Sequence, residues 1–238
     1  MTFRAHFVAR SFPAGSGVAA NGNLRFTEAD LMHALFVTGR ATGDEWLHGS
    51  LSLFEWLHRA AIVPAYLANV GGRVCRTPLA DSLDRSEKVN LSYAIGQAGT
   101  GLFAQQLLGV TRLVHFDRYR GTHRVQLLPT RRSPDLFGVG TGGWVIAESK
   151  GLSNPTNLTF ARAAKTQAAL VRSVGGVAPW CRAGVVTYFD RPSRSMNLMA
   201  VDPDEDELAR DLSTVTKNGS TMPITPRSCP PLAGKPTS

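Results

Sequence analysis

Two short segments joined by a glycine-rich turn constrain the fold of this chain more than any other feature. The apolar run at 144–147 leads directly into Glu148-Ser149-Lys150, and residues 135–139 form a second short run that begins with Asp135. A turn of this length can join two paired strands as a β-hairpin. Asp135 and Glu148 are 13 positions apart (148 minus 135), so pairing would place them side by side where the hairpin ends. The sequence therefore predicts two neighbouring carboxylates at one end of a hairpin.

The rest of the chain alternates between helical and extended patterns. Helices are predicted from Thr27, near 51–68, from Ser86 to about residue 108, over 157–173 and, as a short acidic helix, over 204–212. Strands are predicted at 111–116 and 124–128, paired as a hairpin around Gly121, and at 184–189 and 197–201. Residues 1–24 are typical of a weakly ordered lead-in, and 69–82 of a connection. This order predicts an α/β (α+β) fold, with a central mixed β-sheet flanked by helices and a mainly helical N-terminal region.

The same pattern divides the chain of 238 residues into three regions. Residues 1–82 are predicted to be a partly helical accessory region, and 83–212 a domain that carries the hairpin. Residues 213–238 are rich in Pro, Ser, Thr and Gly and are expected to be a disordered tail. The length suits one large domain or a domain with an accessory lobe.

Charge and cysteine usage narrow the class of protein. The net charge is +8 and the sequence pI about 9.9. A basic chain attracts polyanions, of which nucleic acid is the commonest, and a basic surface kept only for solubility explains the charge equally well. The three cysteines are far apart and lack zinc-ligand spacing, as expected in a reducing cytoplasm. No apolar run is long enough for a membrane span and no secretory signal is evident. We expect a cytoplasmic protein without a membrane partner; residues 1–27, which lack acids, leave a transit peptide as the weaker alternative.

The hairpin end has the residues of a metal site. Two adjacent carboxylates repel each other, and one would hold a raised pKa unless a cation lay between them. Mg²⁺ takes oxygen ligands, so Asp135, Glu148 and the backbone carbonyl of Ser149 are candidate ligands, with Mn²⁺ as a second metal. Lys150 shares a strand face with Glu148, and its ammonium could orient water, lower the pKa of that water or neutralise a phosphate. The alternative is that both acids are solvated hairpin-end residues and Lys150 pairs with one of them.

Residues 134–151 resemble the PD-(D/E)xK motif of the restriction-endonuclease-like superfamily, with Pro134-Asp135 followed by Glu148-Ser149-Lys150. The similarity extends from Glu87 to about Pro203, and makes 83–212 a nuclease-like domain. It implies a core of one helix, three or four mixed strands and a second helix. It also implies that the two acids bind Mg²⁺ and that the lysine assists attack of water on a phosphodiester.

The resemblance implies roles for three further residues. An acid from the first helix often joins the metal site, and Glu87 is the matching candidate, although a helix-dipole role explains it equally well. Gln167 and Lys165 lie on the following helix, where many members carry polar residues facing the site. Gln167 is therefore a catalytic candidate, and Lys165 a nucleic-acid contact.

A basic stretch precedes the motif. Between residues 112 and 132 there are six arginines and one acid. We predict that its arginines contact a phosphate backbone, namely Arg118, Arg120, Arg124, Arg131 and Arg132. The alternative is an exposed hairpin with a solvated charged face. Among the histidines, none has metal-ligand spacing and His115 alone merits attention.

Three functions are consistent with these features. The first is an Mg²⁺-dependent endonuclease, a hydrolase acting on DNA in restriction, repair or anti-phage defence. The second is a non-catalytic nucleic-acid- or protein-binding module on the same fold, and the third is an unrelated α/β protein with a chance motif. A homodimer and partner proteins of a defence or repair system are both compatible with the sequence.

Overall fold

The computed structural model describes residues 2–13, 15–129 and 132–202, and its main feature is one mixed β-sheet. Its nine strands are β1 (Thr2–Arg10), β2 (Asn21–Thr27), β3 (Leu67–Val70), β4 (Arg73–Arg76), β5 (Val114–His115), β7 (Leu136–Gly140), β8 (Gly143–Leu152), β10 (Cys181–Phe189) and β11 (Met196–Val201). They lie in the order β3-β4-β1-β11-β10-β8-β7-β5, and β2 pairs with β1. The short strands β6 (Val125–Leu127) and β9 (Val171–Val174) pair separately. The predicted α/β fold with a mixed sheet is confirmed.

Six α-helices accompany the sheet in the described residues: α1 (Glu28–Val37), α2 (Ser50–Tyr66), α3 (Pro78–Ser82), α4 (Arg85–Leu107), α5 (Phe116–Tyr119) and α6 (Leu158–Ala168). α4 packs on β8 and β10, and α6 packs on β10, β8 and β11. Of these helices, none is both long and apolar enough to cross a membrane. The acidic helix predicted at 204–212 and the tail predicted at 213–238 lie outside the described residues.

α1 begins where the sequence predicts it, at Thr27. The hydroxyl of Thr27 accepts the backbone N–H of Asp30 at 3.1 Å, and the Asp30 carboxylate accepts the backbone N–H of Thr27 at 2.7 Å. This reciprocal capping box satisfies two backbone donors that the first turn would otherwise leave unpaired.

Thr27→Ala removes the oxygen that accepts the Asp30 N–H. We expect the free energy of unfolding to fall by about 1 kcal/mol, the usual cost of losing such a cap. Urea denaturation followed by circular dichroism would measure the change. Thr27→Ser keeps the hydroxyl and should retain most of the stability, and an equal loss in both variants would contradict the capping role.

α4 is capped two residues before the predicted start of the helix at Ser86. The Asp84 carboxylate, rather than Ser86, accepts the backbone N–H groups of Ser86 and Glu87, at 2.6 and 2.9 Å. Further along, a Cβ at Gly96 would lie 2.7 Å from the backbone nitrogen of Gly151, on β8. The small residues of α4 thus allow close packing against the sheet, and α4 lies against the strand that carries Glu148.

The N-terminal region contains strands that the sequence pattern did not suggest. Alternate residues of β1 are buried, and β1 pairs in parallel with β11 and antiparallel with β2. The segment 69–82, predicted as a connection, contains the β3–β4 turn at Gly71-Gly72, β4 and α3. Residues 1–82 and the later chain therefore share one sheet; the domain boundaries at 82 and 212 stay predictions.

The hairpin predicted around Gly121 is wrong. β5 pairs with β7, β6 pairs with β9, and α5 lies between β5 and β6. Phe116 is fully buried against Phe137, which turns the chain into α5 after two strand residues. The helix predicted over 157–173 likewise ends at Ala168, because Val171 and Val174 are buried in the same apolar cluster as Phe116.

Candidate active site

Asp135 and Glu148 meet at the end of the β7–β8 hairpin. The antiparallel register places Leu136 opposite Ala147, so Asp135 and Glu148 are the next facing positions. The backbone N–H of Asp135 donates to Oε2 of Glu148 at 3.1 Å, and the backbone N–H of Ser149 donates to Oδ2 of Asp135 at 2.9 Å. Each carboxylate is thus held by the other strand, and the predicted neighbouring acids are present.

Glu148 is fully buried, at 0% exposure, and its Oε1 contacts the Nζ of Lys150. The pKa of the Glu148 carboxyl is raised to about 7, first by burial and then by the charge of Asp135, while Lys150 opposes the rise. The Lys150 side chain is 42% exposed, so its ammonium can leave Glu148 without a large rearrangement. A buried carboxyl beside a second carboxylate is a place where a cation would be stabilised.

The oxygen atoms at this end of the hairpin fit a hard divalent cation. The two carboxylates supply charge, and the carbonyl of Ser149 points to the same strand edge as the N–H that binds Asp135. Across 2–13, 15–129 and 132–202, no three or more His, Cys, Asp or Glu side chains lie close enough to hold a metal. A site here would therefore rely on two carboxylates, one carbonyl and water, which suits Mg²⁺ because it keeps several waters when bound to protein.

Glu87 is placed apart from this pair. Its carboxylate accepts the backbone N–H of Asp84 at 3.0 Å and completes the capping box of α4. Glu87 lines a cavity of about 450 Å³, and neither Asp135 nor Glu148 lines that cavity. The structure thus shows the helix-terminal role for Glu87, and does not bring it into a three-acid group.

Asp135 and Lys150 line a second cavity, of about 440 Å³, between the start of α6 and α4. Tyr93 of α4 lines both cavities, and its hydroxyl accepts a hydrogen bond from Nε2 of Gln97 at 3.0 Å. Burial raises the pKa of Tyr93, and the charge of Asp135 adds to the rise. Sequence reasoning did not assign a role to Tyr93. The available signal was its spacing from Gly96: Tyr93 is three residues earlier, so both lie on the same face of α4, and Gly96 packs on β8.

His115 is the other neighbour of Asp135. Burial lowers the pKa of its imidazole, while a hydrogen bond with the backbone of Asp135 and the charge of Asp135 oppose the change. The ring packs closely on Gly39, where a Cβ would lie 2.5 Å from Nε2. His115 therefore supports the residue that carries the carboxylate, and it lines the cavity of Tyr93 and Gln97.

The two candidates on α6 have positions different from those predicted. Gln167 donates from Nε2 to the carbonyl of Ser133 at 3.3 Å, so it supports the segment before Asp135. Lys165 is only 2% exposed. Burial raises the pKa of Asp202 to about 6, and the charge of Lys165 opposes that rise. The predicted nucleic-acid contact of Lys165 is wrong for this conformation, because α6 packs that face against the sheet.

Four of the five arginines predicted to contact a phosphate backbone are exposed, but they are not equivalent. Arg118 pairs with Asp44 at 2.9 Å, and Arg120 lies 3.7 Å from Asp117. Arg124 and Arg132 are exposed as well, and Arg131 lies outside the described residues. Contact of this stretch with a phosphate backbone stays a prediction. Asp44 already neutralises part of the charge of Arg118.

Comparisons with protein-family models, curated proteins and solved structures found no match to this chain. The function is therefore argued from the geometry and chemistry of the hairpin end.

Proposed function

We propose that this protein is a metal-dependent nuclease that hydrolyses phosphodiester bonds in DNA. The observation that carries the proposal is the meeting of Asp135 and Glu148, with Lys150 beside them, at the edge of a cavity of about 440 Å³. The order α4, β7, β8, α6, β10 is consistent with the restriction-endonuclease-like core that the motif implies. Such an enzyme would suit restriction, repair or anti-phage defence in the cytoplasm. It could act as a monomer or a homodimer, alone or with partner proteins.

The residues at the hairpin end have different proposed roles. Asp135, Glu148 and the carbonyl of Ser149 would hold Mg²⁺ or Mn²⁺, and the ion, when bound, supplies Lewis acidity and lowers the pKa of a water molecule. The Ser149 N–H orients the Asp135 carboxylate. Lys150, released from Glu148, presents its ammonium to the cavity, where it can orient a water molecule and stabilise negative charge on a phosphate. Gln167 holds Ser133, two residues before Asp135, and His115 holds the backbone of Asp135 itself.

A binding module without catalysis is the second candidate. The contact between Lys150 and Glu148 favours it, because the ammonium already compensates the buried carboxylate as a cation would. In that case the site would bind nucleic acid or a protein partner, and it would bind no metal.

Incubation with supercoiled plasmid DNA separates the two functions. A nuclease should nick or linearise the plasmid in Mg²⁺ or Mn²⁺ and leave it intact in EDTA. Isothermal titration calorimetry should show one divalent ion bound per chain. An intact plasmid in Mg²⁺ and Mn²⁺, together with no heat of metal binding, would refute the nuclease and support the binding module.

A further inference from the structure

Three arginines lie side by side on one face of the sheet. Arg4 of β1 is directly opposite Arg25 of β2 and, on its other edge, directly opposite Arg73 of β4. All three are exposed, and directly opposite residues point to the same face. We call them the arginine row. Like charges in facing positions destabilise a sheet, so this arrangement needs an explanation other than stability.

The described residues that line a cavity beside the arginine row supply hydrogen-bond donors, and none of them is a carboxylate. A cavity of about 420 Å³ on this face is lined by Arg4 and Arg73 and by His6, Asn23, Ser195 and Asn197. His6 faces Asn23 on one neighbouring strand and Asn197 on the other. The next row of the sheet therefore adds side chains that can donate hydrogen bonds.

No acid neutralises the row within the part of the chain that the structure describes. Arg4 donates to the carbonyl of Gly71 at 3.3 Å, and none of the three arginines forms an ion pair there. The carboxylate of Asp81 is bound by two other arginines, and that of Asp190 by the hydroxyls of serines. The three guanidinium groups are left to interact with solvent or with an anion.

We propose that the arginine row binds the phosphate backbone of nucleic acid, at a site separate from the hairpin end. The choice of nucleic acid as ligand rests on the proposed nuclease function. Adjacent strands lie about 4.8 Å apart, so the row spans roughly 10 Å. A duplex presents one phosphate per strand about every 3.4 Å of its axis, so the row can meet two or three consecutive phosphates.

The arginine row and Lys150 lie on the same face of the sheet. Lys150, Val186, Met199 and Val8 are facing positions on successive strands, and Arg4 is four residues before Val8 on β1. Three strand spacings and four residues along a strand give a separation of roughly 20 Å, or about six base pairs. The row would therefore hold DNA beyond the residues around the cut.

Binding of DNA in EDTA tests this site without any cleavage. The full chain would be titrated into a fluorescein-labelled duplex of about 30 base pairs, and anisotropy followed at several salt concentrations. For Arg4→Gln/Arg25→Gln/Arg73→Gln we expect affinity to fall at least about 10-fold at 0.1 M salt. The slope of log affinity against log salt should fall in magnitude by between about two and three, because about 0.9 counterions are released per phosphate contact.

The matched control is Arg85→Gln/Arg162→Gln/Arg172→Gln, which removes the same charge from exposed residues elsewhere. We expect it to weaken binding less than about 3-fold. Equal losses in the two triple variants would overturn the proposal, as would an unchanged salt slope. Melting followed by circular dichroism should show the arginine-row variant no less stable than the parent. If the arginine-row variant loses DNA binding but the parent chain does not cleave plasmid DNA, the nuclease function is refuted and the proposed phosphate-binding site is still supported.

Discussion

Lys150→Ala should reduce Mg²⁺-dependent cleavage of DNA by about 10³-fold, the loss typical of removing one electrostatic contact to a transition state. Lys150 lines the cavity shared with Asp135, and its ammonium contacts the carboxylate of Glu148. Because its side chain is 42% exposed, the substitution opens no cavity in the core. Single-turnover cleavage of a labelled duplex would measure the rate.

Two controls make the loss in Lys150→Ala interpretable. Lys88→Ala removes a lysine from the first turn of α4 and should cleave like the parent. Lys150→Ala also takes a positive charge away from Glu148, which raises the pKa of the Glu148 carboxyl further. The cleavage rates of Lys150→Ala and the parent should therefore be compared up to about pH 9. A defect that vanishes at high pH would mean that Lys150 acts only by keeping Glu148 ionised. Unchanged cleavage at every pH would end the proposed mechanism.

Glu148→Gln should change how the stability of the metal-free protein depends on pH. The folded pKa of Glu148 is about 7, above the ordinary 4.5, so folding takes up a proton between these values. The contribution of Glu148 is therefore full below about pH 4.5 and is lost as pH rises through 7. The loss amounts to about 3 kcal/mol. The glutamine variant lacks this loss and should be the more stable protein at pH 8 in EDTA.

Urea denaturation in EDTA from pH 4.5 to 8 would measure this difference. Asp202, whose pKa burial raises to about 6, contributes a change of the same sign to both proteins and cancels between them. Glu28→Gln, at the exposed start of α1, should keep the pH profile of the parent. Mg²⁺ at pH 8 should stabilise the parent and not Glu148→Gln, because only the parent has two carboxylates to bind it. Parallel pH profiles of the parent and Glu148→Gln would show that the carboxyl is not buried in solution.

Local segments were predictable from the chain because their partners are close in sequence. The β7–β8 hairpin, the cap at Thr27 and the length of α4 each depend on residues within about twenty positions. β1 was missed although its antiparallel partner β2 lies within about 25 positions, because small residues such as Ala5 and Ala9 weaken its alternating pattern. Its parallel partner β11 follows about 190 residues later. The same holds for the arginine row, whose members at positions 4, 25 and 73 are aligned only by strand register.

The environment of the site depended on packing that no spacing reveals. Tyr93 comes from α4, which packs on β8 and β10, and His115 comes from β5, which pairs with β7. Tertiary packing and strand pairing therefore bring both side chains near Asp135. Lys165 was expected at a nucleic-acid surface from its place on the helix that follows the motif, yet α6 buries it near Asp202.

The sequence by itself determined that two acids and a lysine would converge, because a tight hairpin holds its ends together whatever surrounds it. Only the tertiary structure decided how those groups ionise and what they face. Layers of helix against sheet remove water from Glu148 and set its pKa, and long-range strand pairing places a separate basic row on the same face as Lys150. Dielectric environment and register are properties of the assembled fold, since both depend on contacts between residues far apart in the chain.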